Sequence, residues 1–161
     1  MSTNSQKMQI SSVEAVVFDE NNLANECRIR DYYAVNLGYF RPEEKLARCE
    51  QRYPNSLLRA DMRTVNPQNT IREWEFKINA DYKALGQILQ YIALARENEN
   101  SRVIRGVIAA FTFTPELRLA NERMNLNLEL VLLPTWMRGA GALPLNPAPF
   151  LGTRIPNLNL D

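Results

Sequence analysis

The chain has 161 residues, 45% of them hydrophobic and 23% charged, with nine Pro, six Gly, two Cys, no His and a formal net charge of +1. Length and composition are those of one globular domain with a real core, and the lack of His excludes Ser-His-Asp and Cys-His nucleophiles, His-ligated zinc and imidazole acid–base chemistry. No global basic field marks the chain as a nucleic-acid binder, yet 15 of its 19 basic residues are Arg, whose planar fork suits phosphates and carboxylates alike.

Residues 1–10 lack the apolar core of a signal peptide and read as a polar lead-in. An apolar patch at 13–18 suits a strand or a helical turn. Residues 21–39 read as a helix with an irregular apolar stripe of Leu23, Cys27, Tyr33 and Val35. Residues 41–53 read as a second, charged helix, with Pro42 at a helix-start position and Glu43 and Glu44 in the first turn. Cys27 and Cys49 stand 22 positions apart, which fits neither a disulfide framework nor a metal knuckle, so both are expected as reduced thiols of a cytoplasmic protein.

At residue 57 the period changes to two. Segments 57–65 and 71–78 alternate around the turn chemistry of Asn66-Pro67-Gln68-Asn69 and predict an antiparallel hairpin. Residues 81–97 form an amphipathic helix with Leu85, Ile88, Leu89 and Ile92 on one face. Residues 103–113 are apolar enough for a central strand covered on both sides. Thr114 with Pro115 starts a helix over 115–124, and 126–133 is a further strand. The longest strongly apolar runs, 106–111 and 128–133, are far too short to cross a bilayer. Residues 134–161 hold five Pro and three Gly and are expected as an extended arm, following a single domain over 1–133.

The hairpin carries the chemistry. With Val65 facing Ile71, paired positions sum to 136, so Arg63 faces Glu73, Asp61 faces Glu75 and Arg59 faces Lys77. Alternation puts these six side chains on one ionic face, and Leu58, Ala60, Met62, Trp74, Phe76 and Ile78 on an apolar one. Two carboxylates across a ladder have Cβ atoms only about 4.5–5.5 Å apart and repel each other. Lys77 offsets part of that charge. A Mg²⁺ ion offsets it better, since Mg²⁺ takes one or two carboxylates plus waters and needs neither His nor Cys. Metal-assisted phosphodiester hydrolysis is the reaction that uses this face.

Asp61, then 13 residues, then Glu75-Phe76-Lys77 resembles the PD-(D/E)XK nuclease signature. Gln87-Ile88-Leu89-Gln90-Tyr91 on the following helix resembles the QxxxY element of its RecB-like branch. The order helix, hairpin, helix, strand over residues 20–113 is similar to that family's core, with Ala60 where the family often has Pro. The resemblance implies an α/β, restriction-endonuclease-like fold with a central mixed sheet flanked by helices. It also implies Mg²⁺-dependent cleavage of DNA, more rarely RNA; Mn²⁺ is expected to be able to substitute. Carried over by position, Asp61 and Glu75 are metal ligands, Lys77 positions water, Gln87 and Tyr91 lie beside the site, and Glu26 matches in placement an additional acidic ligand.

Each residue also has a plainer reading. Asp61, Glu75 and Lys77 suit a solvated ladder, and Gln87 and Tyr91 a polar helix face, although Lys83, Gln87 and Tyr91 are spaced four apart as one stripe. Glu73 reads as the ion-pair partner of Arg63. Arg59 and Arg63, with Lys83, are candidates to contact phosphates, or else neutralise their neighbours. Trp136 suits an anchor for the arm. The alternative to an enzyme is a nuclease-like fold kept as a nucleic-acid-binding or protein-assembly module. A single cleavage centre makes a homodimer the way to cut two strands, and the arm could hold a protein partner.

Overall fold

In the computed structural model, which describes residues 20–100 and 102–138, the hairpin is the seed of a mixed sheet. Helix α1 (Glu20–Val35) and the short α2 (Leu37–Phe40) precede strands β1 (Lys45–Arg52), β2 (Arg59–Val65) and β3 (Ile71–Ala80). Helix α3 (Tyr82–Asn98), strand β4 (Ile104–Phe113), helix α4 (Pro115–Arg123) and strand β5 (Glu129–Leu132) follow. The described strands lie in the order β1-β2-β3-β4-β5. β1, β2 and β3 run antiparallel, whereas β3, β4 and β5 are parallel and need the crossovers that α3 and α4 provide. No helix among the described residues is long and apolar enough to cross a membrane.

The turn chemistry sets the register as expected: Val65 pairs with Ile71, Thr64 with Arg72, Arg63 with Glu73 and Met62 with Trp74. Asn69 takes a φ of 66°, and the Asn66 side chain accepts from the Thr70 N–H at 2.9 Å, closing the loop. β4 is covered on both faces. Val107, Ala109 and Phe111 pack with Ile29 and Tyr33 of α1, together with Met62, Trp74 and Phe76. Ile104, Ile108 and Ala110 pack with Ala84, Ile88, Ile92 and Ala95 of α3 and Leu117 of α4. Gly106 lets α3 approach, since a Cβ there would lie 2.6 Å from Ile92 Cδ1 and 2.8 Å from Ile88 Cγ1.

Residues 41–53 correct the helix expected there: most of the segment is β1, the outer strand of the sheet. Its charged residues are tolerated because an outer strand meets solvent, and its side chains are mostly exposed. Pro42 and Glu43 form a turn, and Glu44 is buried in an ion network. Arg41 donates to Glu44 at 2.9 Å and to Glu129 of β5 at 3.0 Å, while Arg72 donates to Glu129 at 2.7 Å. Thr64 donates to Glu44 and accepts from Trp74 Nε1 at 2.8 Å. These contacts tie the α2–β1 turn and β5 to the end of the sheet away from the Arg59 end of β2.

The helix expected over 21–39 breaks at Asn36, whose side chain donates to the Tyr32 carbonyl. The helix expected from residue 115 is present, with Thr114 accepting from the Leu117 N–H. Residues 135–137 form a 3-10 turn with Met137 fully buried, so the arm begins later than residue 134. Trp136 meets Tyr32 edge-on, with ring centroids 6.0 Å apart. The patch expected at 13–18 and the arm over 139–161 lie outside the described residues.

Candidate active site

The β2–β3 ladder stops at Met62–Trp74. Beyond that pair, the Asp61 carboxylate accepts the backbone N–H of Phe76 at 2.7 Å, occupying the place of a ladder carbonyl. Apolar alternation breaks at the same point, since Met62 packs on the α1 side and Ala60 joins the α3 side. Asp61 is therefore no ordinary cross-strand neighbour of Glu75; it sits in the opening between two strands that part.

Glu75 is buried on β3. Lys77, two residues on, donates to Glu75 Oε1 at 2.8 Å and lies 3.8 Å from Glu26 Oε2 on α1. Glu75 Oε2 is buried without a hydrogen-bond partner. Burial first, and then the Asp61 charge, push the Glu75 carboxyl up to about 7, against the pull of Lys77. Asp61 is also raised by burial, opposed by the Phe76 N–H and by Lys77 and Arg30. Burial works to lower the Lys77 ammonium, but Glu75, Glu26 and Asp61 together raise it. Lys77 accordingly stays protonated at neutral pH and acts as a fixed positive charge rather than a base.

α3 supplies the wall. Asp81 caps it by accepting from the Lys83 N–H at 2.9 Å, which fixes how Lys83, Gln87 and Tyr91 run along the helix from exposed through half-buried to buried. Burial, then Glu75 and Asp61, push the Tyr91 hydroxyl well above the ordinary tyrosine value, and Gln87 acts in the opposite sense. These two residues therefore share the electrostatics of the carboxylates.

Glu26 has other partners than the two acids. Its Oε1 accepts the Ile78 N–H at 3.2 Å and its Oε2 faces Lys77, and burial raises its carboxyl. Among the described residues no group of three or more His, Cys, Asp or Glu side chains is gathered as a metal-holding cluster. The expected three-acid set of Asp61, Glu75 and Glu26 is thus not assembled, because β3 backbone and Lys77 engage Glu26. The residues do fit an ion held by two carboxylates. Mg²⁺ accepts one or two carboxylates and keeps its waters, and the unpartnered Glu75 oxygen beside Asp61 is a free donor in a buried place.

The two arginines offered for phosphate contact separate. Arg59 is half exposed and lies 3.7 Å from Glu50. Arg63 is turned inward. It donates through Nε to Glu73 Oε1 at 2.7 Å and lies 3.6 Å from Glu99, which corrects its reading as a substrate contact and matches the ion pair expected for Glu73. Tyr53 is a residue that sequence reasoning missed: it stacks on Tyr91, with centroids 6.2 Å apart and planes at 16°. Its position at the end of a supposed helix hid it; read as the end of a strand before Pro54, it would have been placed near the hairpin.

No family model matches the sequence, and no curated protein matches it. Solved structures do. The chain is 17% identical to EndoMS in the EndoMS-dsDNA2 complex, with a TM-score of 0.54 over 82% of this chain and 50% of that one. It is 23% identical to a repair endonuclease from Pyrococcus abyssi, with a TM-score of 0.53 over 64% and 46%, and 20% identical to EndoMS in apo form, with 0.54 over 68% and 47%. The chain spans about half the length of these structures. At such identities the likeness is one of fold: the mixed five-stranded sheet flanked by helices is the restriction-endonuclease-like architecture expected from the sequence.

Proposed function

We propose that the chain is a metal-dependent nuclease that hydrolyses DNA phosphodiester bonds, of the QxxxY-bearing, RecB-like kind. The observation that carries this reading is the buried, unpartnered Glu75 oxygen, set beside Asp61 at the parting of two strands and flanked by a lysine that stays charged. A solvated ladder of surface charges would have no reason to bury Glu75 or to raise its carboxyl to about 7. The fold shared with endonucleases, one of them solved with double-stranded DNA, supports DNA as the substrate.

Asp61 and Glu75 would hold Mg²⁺, or Mn²⁺ in its place, and the ion when bound supplies Lewis-acid charge to the phosphoryl oxygen and to the attacking water. The chain does the rest. Lys77, fixed by Glu75 and Glu26, orients the attacking water and faces the negative charge that develops on the phosphoryl oxygens. The Phe76 N–H anchors Asp61 at the opening. Gln87 and Tyr91 close the site from α3, and Arg59 and Lys83 stand at the exposed rim where a strand backbone would pass.

The test is cleavage of single-stranded, duplex and branched DNA with Mg²⁺ or Mn²⁺, comparing wild type with Asp61→Asn and Lys77→Met. Loss of cleavage in both variants supports the reading, and cleavage that survives both overturns it. Calorimetric titration with Mn²⁺ separates an enzyme from a binding module, which has no use for the ion.

A further inference from the structure

β1 pairs Cys49 with Met62 and Gln51 with Ala60, which leaves Glu50 in the slot opposite Asp61. There Glu50 takes a φ of 52°, a left-handed conformation that side-chain-bearing residues rarely adopt and that persists only where the surroundings impose it. Its Oε1 is shared between two arginines, 3.6 Å from Arg30 Nη1 on α1 and 3.7 Å from Arg59 Nη1 on β2. Both distances are longer than a hydrogen bond, and Glu50 and Arg59 are each about half exposed, so the pairs are readily exchanged. Arg30 is otherwise held by Asp31 at 2.8 Å and is nearly buried, which keeps its guanidinium in place. Arg30 and Glu50 bear on Asp61 in opposite senses, the first lowering and the second raising its carboxyl.

We propose that Glu50 is a latch on the substrate's phosphate backbone: it occupies Arg30 and Arg59 in the free protein, and a DNA phosphate displaces it to take both guanidinium groups. The inference rests on the nuclease reading and adds to it a phosphate subsite that includes Arg30. Phosphate and carboxylate compete for the same groups: Arg59 can offer a phosphate parallel charge-assisted hydrogen bonds that the long Glu50 contact does not make, while Arg30, whose Nε and Nη2 donate to Asp31, offers its Nη1. When the strand leaves, Glu50 returns, so the latch lowers affinity for substrate and product together.

The test is binding of a fluorescein-labelled duplex and a labelled single strand in EDTA, where no cleavage occurs, across a salt series. The variants are Glu50→Gln and Glu50→Asn, the second because Asn tolerates the left-handed backbone. Both are expected to tighten binding roughly three- to tenfold at low salt while the log–log salt slope stays within about one unit of wild type, because the bound complexes make the same phosphate contacts. Arg59→Ala in the Glu50→Gln background should remove about one unit of that slope. Glu97→Gln, an exposed acid at the far end of α3, is the control for charge alone. Unchanged affinity in the Glu50 variants overturns the latch, as does an equal gain in Glu97→Gln or no binding by any protein at 20 mM salt, a concentration on the order of those where phosphate contacts are strongest. Metal-dependent cleavage by the wild type is read separately, so the hydrolase reading and the latch can fail independently.

Discussion

Asp61 accepts the backbone N–H of Phe76 at 2.7 Å where the β2–β3 ladder ends, so one carboxylate both closes the sheet and faces the site. The two roles separate by substitution. Asp61→Asn keeps an oxygen for the Phe76 N–H and should lose cleavage while melting within about 2–3 °C of wild type. Asp61→Ala leaves the buried N–H unpaired, at about 1–3 kcal/mol, which corresponds to a melting temperature lower by roughly 4–8 °C. Equal melting temperatures for the two variants would show that the hydrogen bond is immaterial.

Glu75 makes the metal-free protein pH-sensitive. Its carboxyl is held at about 7 in the fold, against 4.5 as the ordinary value, so above pH 4.5 the folded state retains a proton that the unfolded state releases. Stability is greatest below pH 4.5 on this account and is lost as pH rises through 7, by on the order of 3 kcal/mol. Glu75→Gln has no such proton. The melting temperature of Glu75→Gln minus that of wild type, in EDTA, should therefore grow from pH 5 to pH 8; a flat difference would mean that Glu75 is not perturbed. Saturating Mg²⁺ should raise the wild type by about 2–3 kcal/mol and leave Glu75→Gln where it is.

The hairpin register was legible from sequence because alternation and a tight turn fix which side chains pair across the two strands. The register sum of 136 holds from Val65–Ile71 to Met62–Trp74, and Thr114 announces the helix it caps. What alternation cannot say is where a ladder stops. The parting of the strands at Asp61 follows from a side chain that substitutes for a backbone acceptor, a tertiary event with no local signature. β1 was illegible for a different reason. An outer strand needs no apolar face, and Pro42-Glu43-Glu44 has the chemistry of a helix start as well as of a turn; with β1 went Glu50 and Tyr53.

Glu26 should act on Lys77 and not on the metal. Its Oε1 holds the Ile78 N–H and its Oε2 faces Lys77, so Glu26→Gln keeps the first contact and loses the second charge. The expected result is an unchanged Mn²⁺ affinity by calorimetry with cleavage lowered about three- to tenfold, the effect of about 1 kcal/mol on a transition state. A loss of Mn²⁺ affinity as large as that of Asp61→Asn would make Glu26 a ligand instead.

Two glycines should respond in opposite directions. Gly106→Ala drives a Cβ into Ile92, Ile88 and Leu128 and should destabilise by about 1–3 kcal/mol. Because α3 carries Gln87 and Tyr91, cleavage should fall with it. A Cβ on Gly86, inside α3, meets nothing within 4 Å, and Gly86→Ala should stabilise by about 0.5–1 kcal/mol. Thermal melts of the two variants beside wild type decide the matter; a stabilised Gly106→Ala would show that α3 stands off the sheet.

Arg59 and Arg63 lie four residues apart on β2 and look interchangeable in sequence, yet their side chains are 50% and 12% exposed. Arg63 compensates Glu73, whose side chain is wholly buried and whose Oε2 already lacks a partner. Arg63→Ala should therefore strand a buried charge, destabilising by about 3–5 kcal/mol and lowering the melting temperature by roughly 8–15 °C. Arg63→Met combined with Glu73→Leu should recover most of that loss, because the penalty lies in the unpaired carboxylate and not in the missing arginine. Arg59→Ala should melt within about 0.5 kcal/mol of wild type. Its effect should appear instead as weaker DNA binding with a salt slope shallower by about one. The reverse pattern, stability lost at residue 59 and DNA affinity lost at residue 63, would place the phosphate path at the other end of the hairpin.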